Sequence, residues 1–280
     1  MPESFNFSGH ETFHCRPFWL KKGHDFLDEQ RRFGDEDAVA YLGVGKNMVT
    51  AIRFWMRAFE MANDEGLTEL GRRLLSDKGW DPYLEDIGSL WLLHYHMVKG
   101  QHASIANLIF NELRDRVPEF TAKQYSDFVV SEKTKANRKT VEKDFSVFVR
   151  NYRDKDREDE EVDDLGGLLA DLELVSAKKV DNEKVFYIER KRRASLPSRI
   201  LLYAILDAIP EGRSLSLNVI MDAVGKTFAL DKDGMTELLT EIARTYTKKG
   251  VTFTPSSGVY ELQFKERPTT WSILAEHYAN

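Results

Sequence analysis

The segment Leu42-Gly43-Val44-Gly45-Lys46-Asn47-Met48-Val49 constrains this chain most, because it reads as the turn and second helix of a helix-turn-helix. Upstream, Asp35-Glu36-Asp37-Ala38-Val39-Ala40-Tyr41-Leu42 suits a short helix with its acids at the positive end of the dipole. Gly43 and Gly45 supply the backbone freedom of a tight turn, and a helix is predicted from about Lys46 to Phe59. On it Met48, Ile52, Trp55 and Phe59 recur at spacings of four, three and four, which makes one apolar stripe. At about 100° per residue, Lys46, Arg53 and Arg57 lie roughly 150° from that stripe. No acid follows until Glu60. One face suits a core while the other offers cations to DNA phosphates and base edges. An ordinary amphipathic helix with a solvated Lys/Arg face carries the same pattern.

The arrangement recurs further along. Thr121-Ala122-Lys123-Gln124 reads as a capping box opening a helix to about Ser131. A polar turn, Glu132-Lys133-Thr134-Lys135-Ala136, leads to Asn137 as the N-cap of another helix. There Val141, Phe145, Phe148 and Tyr152 step by four, three and four, with Lys139, Lys143, Ser146 and Arg150 on the far side. Residues 133–150 hold six bases against two acids, Glu142 and Asp144.

A formal net charge of −6 argues against a nucleic-acid partner only until it is located. Residues 154–164 hold eight acids and two bases, so that run carries a net −6 and the rest of the chain is neutral, with its cations clustered. The run reads as a solvated linker; a DNA-mimicking mask for the basic helices is the sharper alternative. One cysteine, Cys15, allows no internal disulfide and fits a reducing cytoplasm. Phe5, Phe7, His10 and Glu11 break any signal-peptide pattern, and no apolar run spans a bilayer. The expectation is a cytoplasmic protein without membrane association.

With 280 residues and 42% hydrophobic content, the chain can build a core divided into two or three small domains. The expected fold is mainly α with small β-hairpins, as tandem winged-helix or helix-turn-helix units. Residues 1–118 form an N-terminal helical domain with the first helix-turn-helix, in which any wing near Asn63–Gly66 is short or missing. A buried helix is expected from Ile87 to about Val98, with at least one of His94 and His96 in the core. Residues 119–195 hold the second unit, including the acidic insert 154–164. Its wing is a hairpin of 174–180 and 184–190, leading to the cations Arg190, Lys191, Arg192 and Arg193. Residues 196–280 form a third unit: a helix from Ser198 to Ile209, one from about Asp231 to Tyr246, and strands around Pro255-Ser256-Ser257-Gly258.

Gly43–Asn47 is no phosphate loop, since Ala40 stands where the first glycine belongs and Asn47 where Ser or Thr would bind magnesium. Asp231-Lys232-Asp233-Gly234 opens like a calcium loop, but no glutamate occupies the closing position. His10-Glu11-Thr12-Phe13-His14 matches the HExxH string of zinc proteases but lies near the chain start with Leu20 at the third-histidine position. A more moderate reading puts His10 and Glu11 in a polar site with Asp81, Glu85 and Asp86. Carboxylates beside a histidine can hold Mg2+ or Mn2+, here on Glu11 and Asp81, and activate water against a phosphodiester. The alternative is that these residues make structural hydrogen bonds and helix caps.

Phe7-Ser8-Gly9-His10-Glu11-Thr12-Phe13, the Leu42–Val49 segment, Leu67-Thr68-Glu69-Leu70-Gly71 and Asp81-Pro82-Tyr83-Leu84-Glu85-Asp86 together resemble a bacterial family, the domain of unknown function numbered four thousand and seven. The resemblance runs over most of the chain. It implies the DNA-handling component of a single-strand DNA phosphorothioation and antiphage system, in which this component looks like a DNA-nicking protein. It also implies as partners a cysteine desulfurase, an adenylyl-sulfate-reductase-like protein and an ATPase.

The leading expectation is thus a component that binds double-stranded DNA and nicks one strand. Lys46, Asn47, Arg53, Arg57, Lys135, Lys139, Lys143, Arg150, Arg190 and Arg192 would contact DNA. Asn47 is the best base reader, because its amide can pair bidentately with adenine. A non-catalytic winged-helix regulator or adaptor that recruits other enzymes, and a scaffold for an acidic partner, are the alternatives.

Overall fold

Both apolar stripes turn inward. In the computed structural model, which describes residues 5–153, 166–256 and 259–279, the acidic run 154–164 lies outside the described residues. Helix α1 (Trp19–Asp28) is followed by α2 (Ala38–Leu42) and α3 (Lys46–Ala58). Gly43 ends α2 at φ 63°, a left-handed conformation that costs glycine little. Gly45 is different: at φ −66° it is an extended N-cap that needs no such freedom. Ile52, Trp55 and Phe59 are buried, and Met48 is half-buried. The chain then forms a hairpin of β1 (Ala62–Asn63) and β2 (Gly66–Leu67), as short as the sequence allows.

Thr68 caps α4 (Glu69–Leu75) by accepting from the Gly71 amide. Asp86 does the same for α5 (Ile87–Lys99) through Gly88, and every residue of α5 from Gly88 to Val98 is buried. Both histidines of α5 are core residues with polar partners. His94 Nδ1 lies 2.6 Å from the Tyr152 hydroxyl, and His96 Nδ1 lies 2.6 Å from Glu60 Oε2.

Helix α6 (Ser104–Leu108) passes through a π turn, Ile109–Leu113, into α7 (Arg114–Arg116). Strand β3 (Glu119–Phe120) precedes α8 (Ala122–Phe128), which opens with the predicted Thr121/Gln124 capping box and ends in a π turn, Val129–Lys133. Asn137 caps α9 (Arg138–Tyr152), where Val141, Phe145, Phe148 and Tyr152 are all buried. Strands β4 (Ser176–Val180) and β5 (Glu183–Tyr187) close over Asp181 and Asn182 at φ 47° and 65°, residue types suited to a two-residue hairpin turn. In this antiparallel sheet the order is β3-β5-β4.

The chain divides into two compact units, Met1–Ile188 and Glu189–Asn280. Both segments expected as helix-turn-helices belong to the first. The second unit contains α10 (Ser198–Ala208), β6 (Ser214–Ser216), α11 (Leu217–Ile220) with a π turn Met221–Gly225, and α12 (Lys232–Tyr246). It ends with β7 (Val251–Ser256), β8 (Val259–Phe264) and α13 (Thr270–Tyr278). Its sheet runs β6-β8-β7, so the order helix, strand, helix, helix, hairpin occurs in both units with the hairpin's second strand central. Asp231 caps α12 by accepting from the Gly234 amide at 2.7 Å, which accounts for the calcium-like string. The architecture is mainly α with small antiparallel sheets. Among the described residues no helix is long and apolar enough to cross a membrane.

Candidate nucleic-acid interface

Helix α3 presents a cationic edge because its apolar stripe fixes which side faces the core. Lys46, Asn47, Thr50 and Arg53 are exposed. Lys46 and Arg53 have no carboxylate partner among the described residues. Arg57, one turn beyond Arg53, is three-quarters covered and paired with Asp64 of the β1–β2 turn. His102 lies close to this edge; burial, with Arg57 and Arg53 nearby, lowers its pKa from the ordinary histidine value.

Helix α9 carries the second edge. Lys135, Lys139 and Lys143 are exposed and unpaired among the described residues. Neighbouring cations are already committed: Arg138 pairs with Asp127, and Lys133 with Glu112. Arg150 also has structural work, donating at 2.6 Å to the Thr12 carbonyl.

That contact belongs to a strap formed by the N-terminal motif, which joins α3 to α9. Trp55 of α3 donates its indole N–H to the Phe13 carbonyl at 3.0 Å. Asn151 of α9 accepts from the Cys15 amide at 2.9 Å. Between them, His10 packs edge-on against Phe54 and reaches Asp144 of α9 at 2.9 Å. His10 Nδ1 accepts from the Thr12 amide, so Nε2 carries the proton that is donated to the carboxylate. Gly9 stands at φ 103°, where a Cβ would also press on the Phe54 ring. The strap thus bonds to both cationic helices within one unit.

Glu11 and Thr12 have φ of 48° and 67°, so the HExxH string is a turn and not a helix. Glu11 is exposed, whereas His10 and His14 are buried. Asp81 is buried and fully engaged: Oδ1 accepts from the Glu85 amide at 2.9 Å, and Oδ2 from the Asp86 amide at 3.0 Å and the Ser89 hydroxyl at 2.6 Å. Asp86 caps α5, and Glu85 is exposed. As a magnesium donor set, Glu11 and Asp81 fit poorly, because Asp81 would have to give up the bonds that shape its loop. Among the described residues no three His, Cys, Asp or Glu side chains gather as a metal-holding group.

Asp144 escapes a reading by charge alone. It stands three residues after Val141 and four before Phe148, which places it on the inner side of α9. Burial holds its carboxyl above the usual carboxylate range, with the His10 hydrogen bond pulling the other way. Its Oδ2 is buried without a partner, as is the nearby Tyr125 hydroxyl. Arg190 and Arg192 fall in the second unit, where both are exposed and Arg192 pairs with Glu237.

A family model described as protein of unknown function (DUF4007) matches residues 7–278. Among solved structures, a magnesium ion-bound SspB crystal structure superposes with a TM-score of 0.85 at 28% sequence identity, covering 100% of this chain and 89% of that one. A second SspB crystal structure gives 0.83 at 28% identity over the same shares. The search of curated proteins gives no match.

Proposed function

The chain belongs to the DUF4007 family, and from that premise we propose that it is the DNA-binding component of a DNA phosphorothioation antiphage system. Its likeness to SspB over its whole length fits such a system. The observation that carries the DNA-binding part is the α3 edge: Lys46, Asn47 and Arg53 are exposed on one helix whose opposite face is core. Residues 119–187 and the second unit are read as winged helices, on the strength of their shared element order and strand arrangement. The duplex lies along α3 and the Lys139/Lys143 edge of α9, with Asn47 at a base and the lysines and Arg53 at phosphate or guanine. Cysteine desulfurase, an adenylyl-sulfate-reductase-like protein and an ATPase are the partner enzymes of this reading.

Strand nicking with Mg2+ or Mn2+ is the catalytic form of the proposal. A non-catalytic adaptor is its rival, favoured by one observation: both Asp81 oxygens are occupied by the protein's own donors. Conversion of supercoiled plasmid to open circle by the wild type in either metal, lost in Glu11→Ala, supports nicking. Duplex binding that falls in Arg53→Ala, without any nicking, supports the adaptor. No duplex binding at low salt overturns both.

A further inference from the structure

A cleft of about 620 Å³ opens between the loop after α1, the side of α3, the β1–β2 hairpin and α4. Five arginines line it, Arg31, Arg32, Arg53, Arg57 and Arg72, against three carboxylates, Asp28, Asp64 and Glu65. Their pairing is uneven. Arg31 is held by Asp37 and Glu29, and Arg57 by Asp64. Arg32, Arg53 and Arg72 are exposed and have no carboxylate partner among the described residues. They come from three separate elements, so helix periodicity does not bring them together; the fold does.

Like charges gathered in one concavity repel, and a folded protein relieves that with its own acids or with a bound anion. Ion pairs engage two of the five guanidinium groups and leave three facing the same space, against the two remaining carboxylates Asp28 and Glu65, so the arginines stay in excess. Guanidinium forks match phosphate oxygens bidentately, and the volume lies within the range of small-ligand sites. We propose that this cleft is a phosphate-binding site in which Arg32, Arg53 and Arg72 hold a phosphate group. Arg53 is shared with the α3 edge, so the cleft continues the surface assigned to DNA. The proposal rests on the DNA-binding reading for its source, a phosphate of the duplex backbone, and not for its chemistry.

Inorganic pyrophosphate titrated into the full chain by calorimetry is the direct probe, with Arg32→Ala, Arg72→Ala and the charge-reversed Arg72→Glu. Lys248→Ala in the second unit is the control, and thermal melts confirm folding. Pyrophosphate is expected to bind the wild type and Lys248→Ala alike, and at least about fivefold more weakly to each arginine variant. Duplex binding of the same variants over a salt series then identifies the source. A salt slope reduced by about one per arginine assigns the cleft to backbone phosphate. An unchanged slope with pyrophosphate binding lost assigns it to a free phosphate compound. If duplex binding is absent yet pyrophosphate binding depends on Arg32 and Arg72, the DNA reading fails and the cleft stands. If Lys46→Ala weakens duplex binding while neither probe responds to Arg32→Ala or Arg72→Ala, the cleft proposal is overturned and the DNA reading stands.

Discussion

His10 Nε2 lies 2.9 Å from Asp144 Oδ1, a buried bond between residues 134 apart in sequence. It fastens the N-terminal motif to α9 while Trp55 fastens the same motif to α3. A histidine that invites a catalytic reading from its neighbours in sequence is, in three dimensions, part of the device that fixes two cationic helices within one unit.

Asp144→Asn tests that bond through pH. Burial raises the folded carboxyl pKa above its unfolded value of about 3.9. The associated stability is complete below that unfolded value and is lost as pH rises through the raised folded pKa. Asparagine keeps an acceptor for the His10 proton and has nothing to ionise. Urea melts from pH 4 to 7 are expected to show the variant gaining on the wild type as pH rises. A constant or shrinking difference would contradict this. Asp144→Ala, which strands the His10 donor, is expected to cost about 1–3 kcal/mol.

Asp81→Ala removes the acceptor of two backbone amides and the Ser89 hydroxyl. A loss of about 2–3 kcal/mol in folding stability is expected, since buried donors are left unpaired. Ser89→Ala, which removes a single bond, is expected to cost about 0.5–1.5 kcal/mol. Chemical denaturation of both variants measures the difference; an Asp81→Ala protein as stable as the wild type would show that the loop is not held this way.

Freeing Arg57 is the converse of deleting a cation. Asp64 is almost fully exposed and forms its ion pair with Arg57. Asp64→Ala removes a repelling charge and releases a guanidinium beside the proposed DNA surface, so duplex affinity is expected to rise by about threefold at low salt. A fall in affinity, measured by fluorescence anisotropy, would place the duplex elsewhere.

Gly71→Ala probes packing instead of charge. A Cβ there would collide with the Met61 carbonyl oxygen, a backbone atom that cannot swing aside. The substitution is expected to destabilise the chain by about 1–3 kcal/mol or more, seen as a lower melting temperature. An unchanged melting temperature would mean that α4 and the β1–β2 hairpin shift freely.

Local sequence carried much of this architecture. The stripes of α3 and α9, the Asn137 cap, the Thr121/Gln124 box and the hairpin around Asp181-Asn182 are set by periods and hydrogen bonds within a few residues, although Glu183, expected in that turn, opens β5. In the second unit, β6, α11 and α13 are not legible in the sequence. The first two are three and four residues long, too short for a period to speak. Ile273 and Leu274 of α13 are buried, but they give only one turn of pattern. The polar residues were hardest to place, because their partners are distant in sequence. Asp144 looked like one charge among many on a basic helix until His10 arrived from the other end of the unit. Asp81 shows the opposite case: its partners are four to eight residues away, within reach of a capping argument.

The salt dependence of duplex binding is the most direct test of the central claim, that the exposed edges of α3 and α9 meet a polyanion. Affinity for a random duplex is expected to fall steeply and linearly on logarithmic axes as salt rises. Lys46→Ala, Arg53→Ala and Lys143→Ala should each lower the slope by about one. A slope near zero, or one that none of these substitutions changes, would contradict the account.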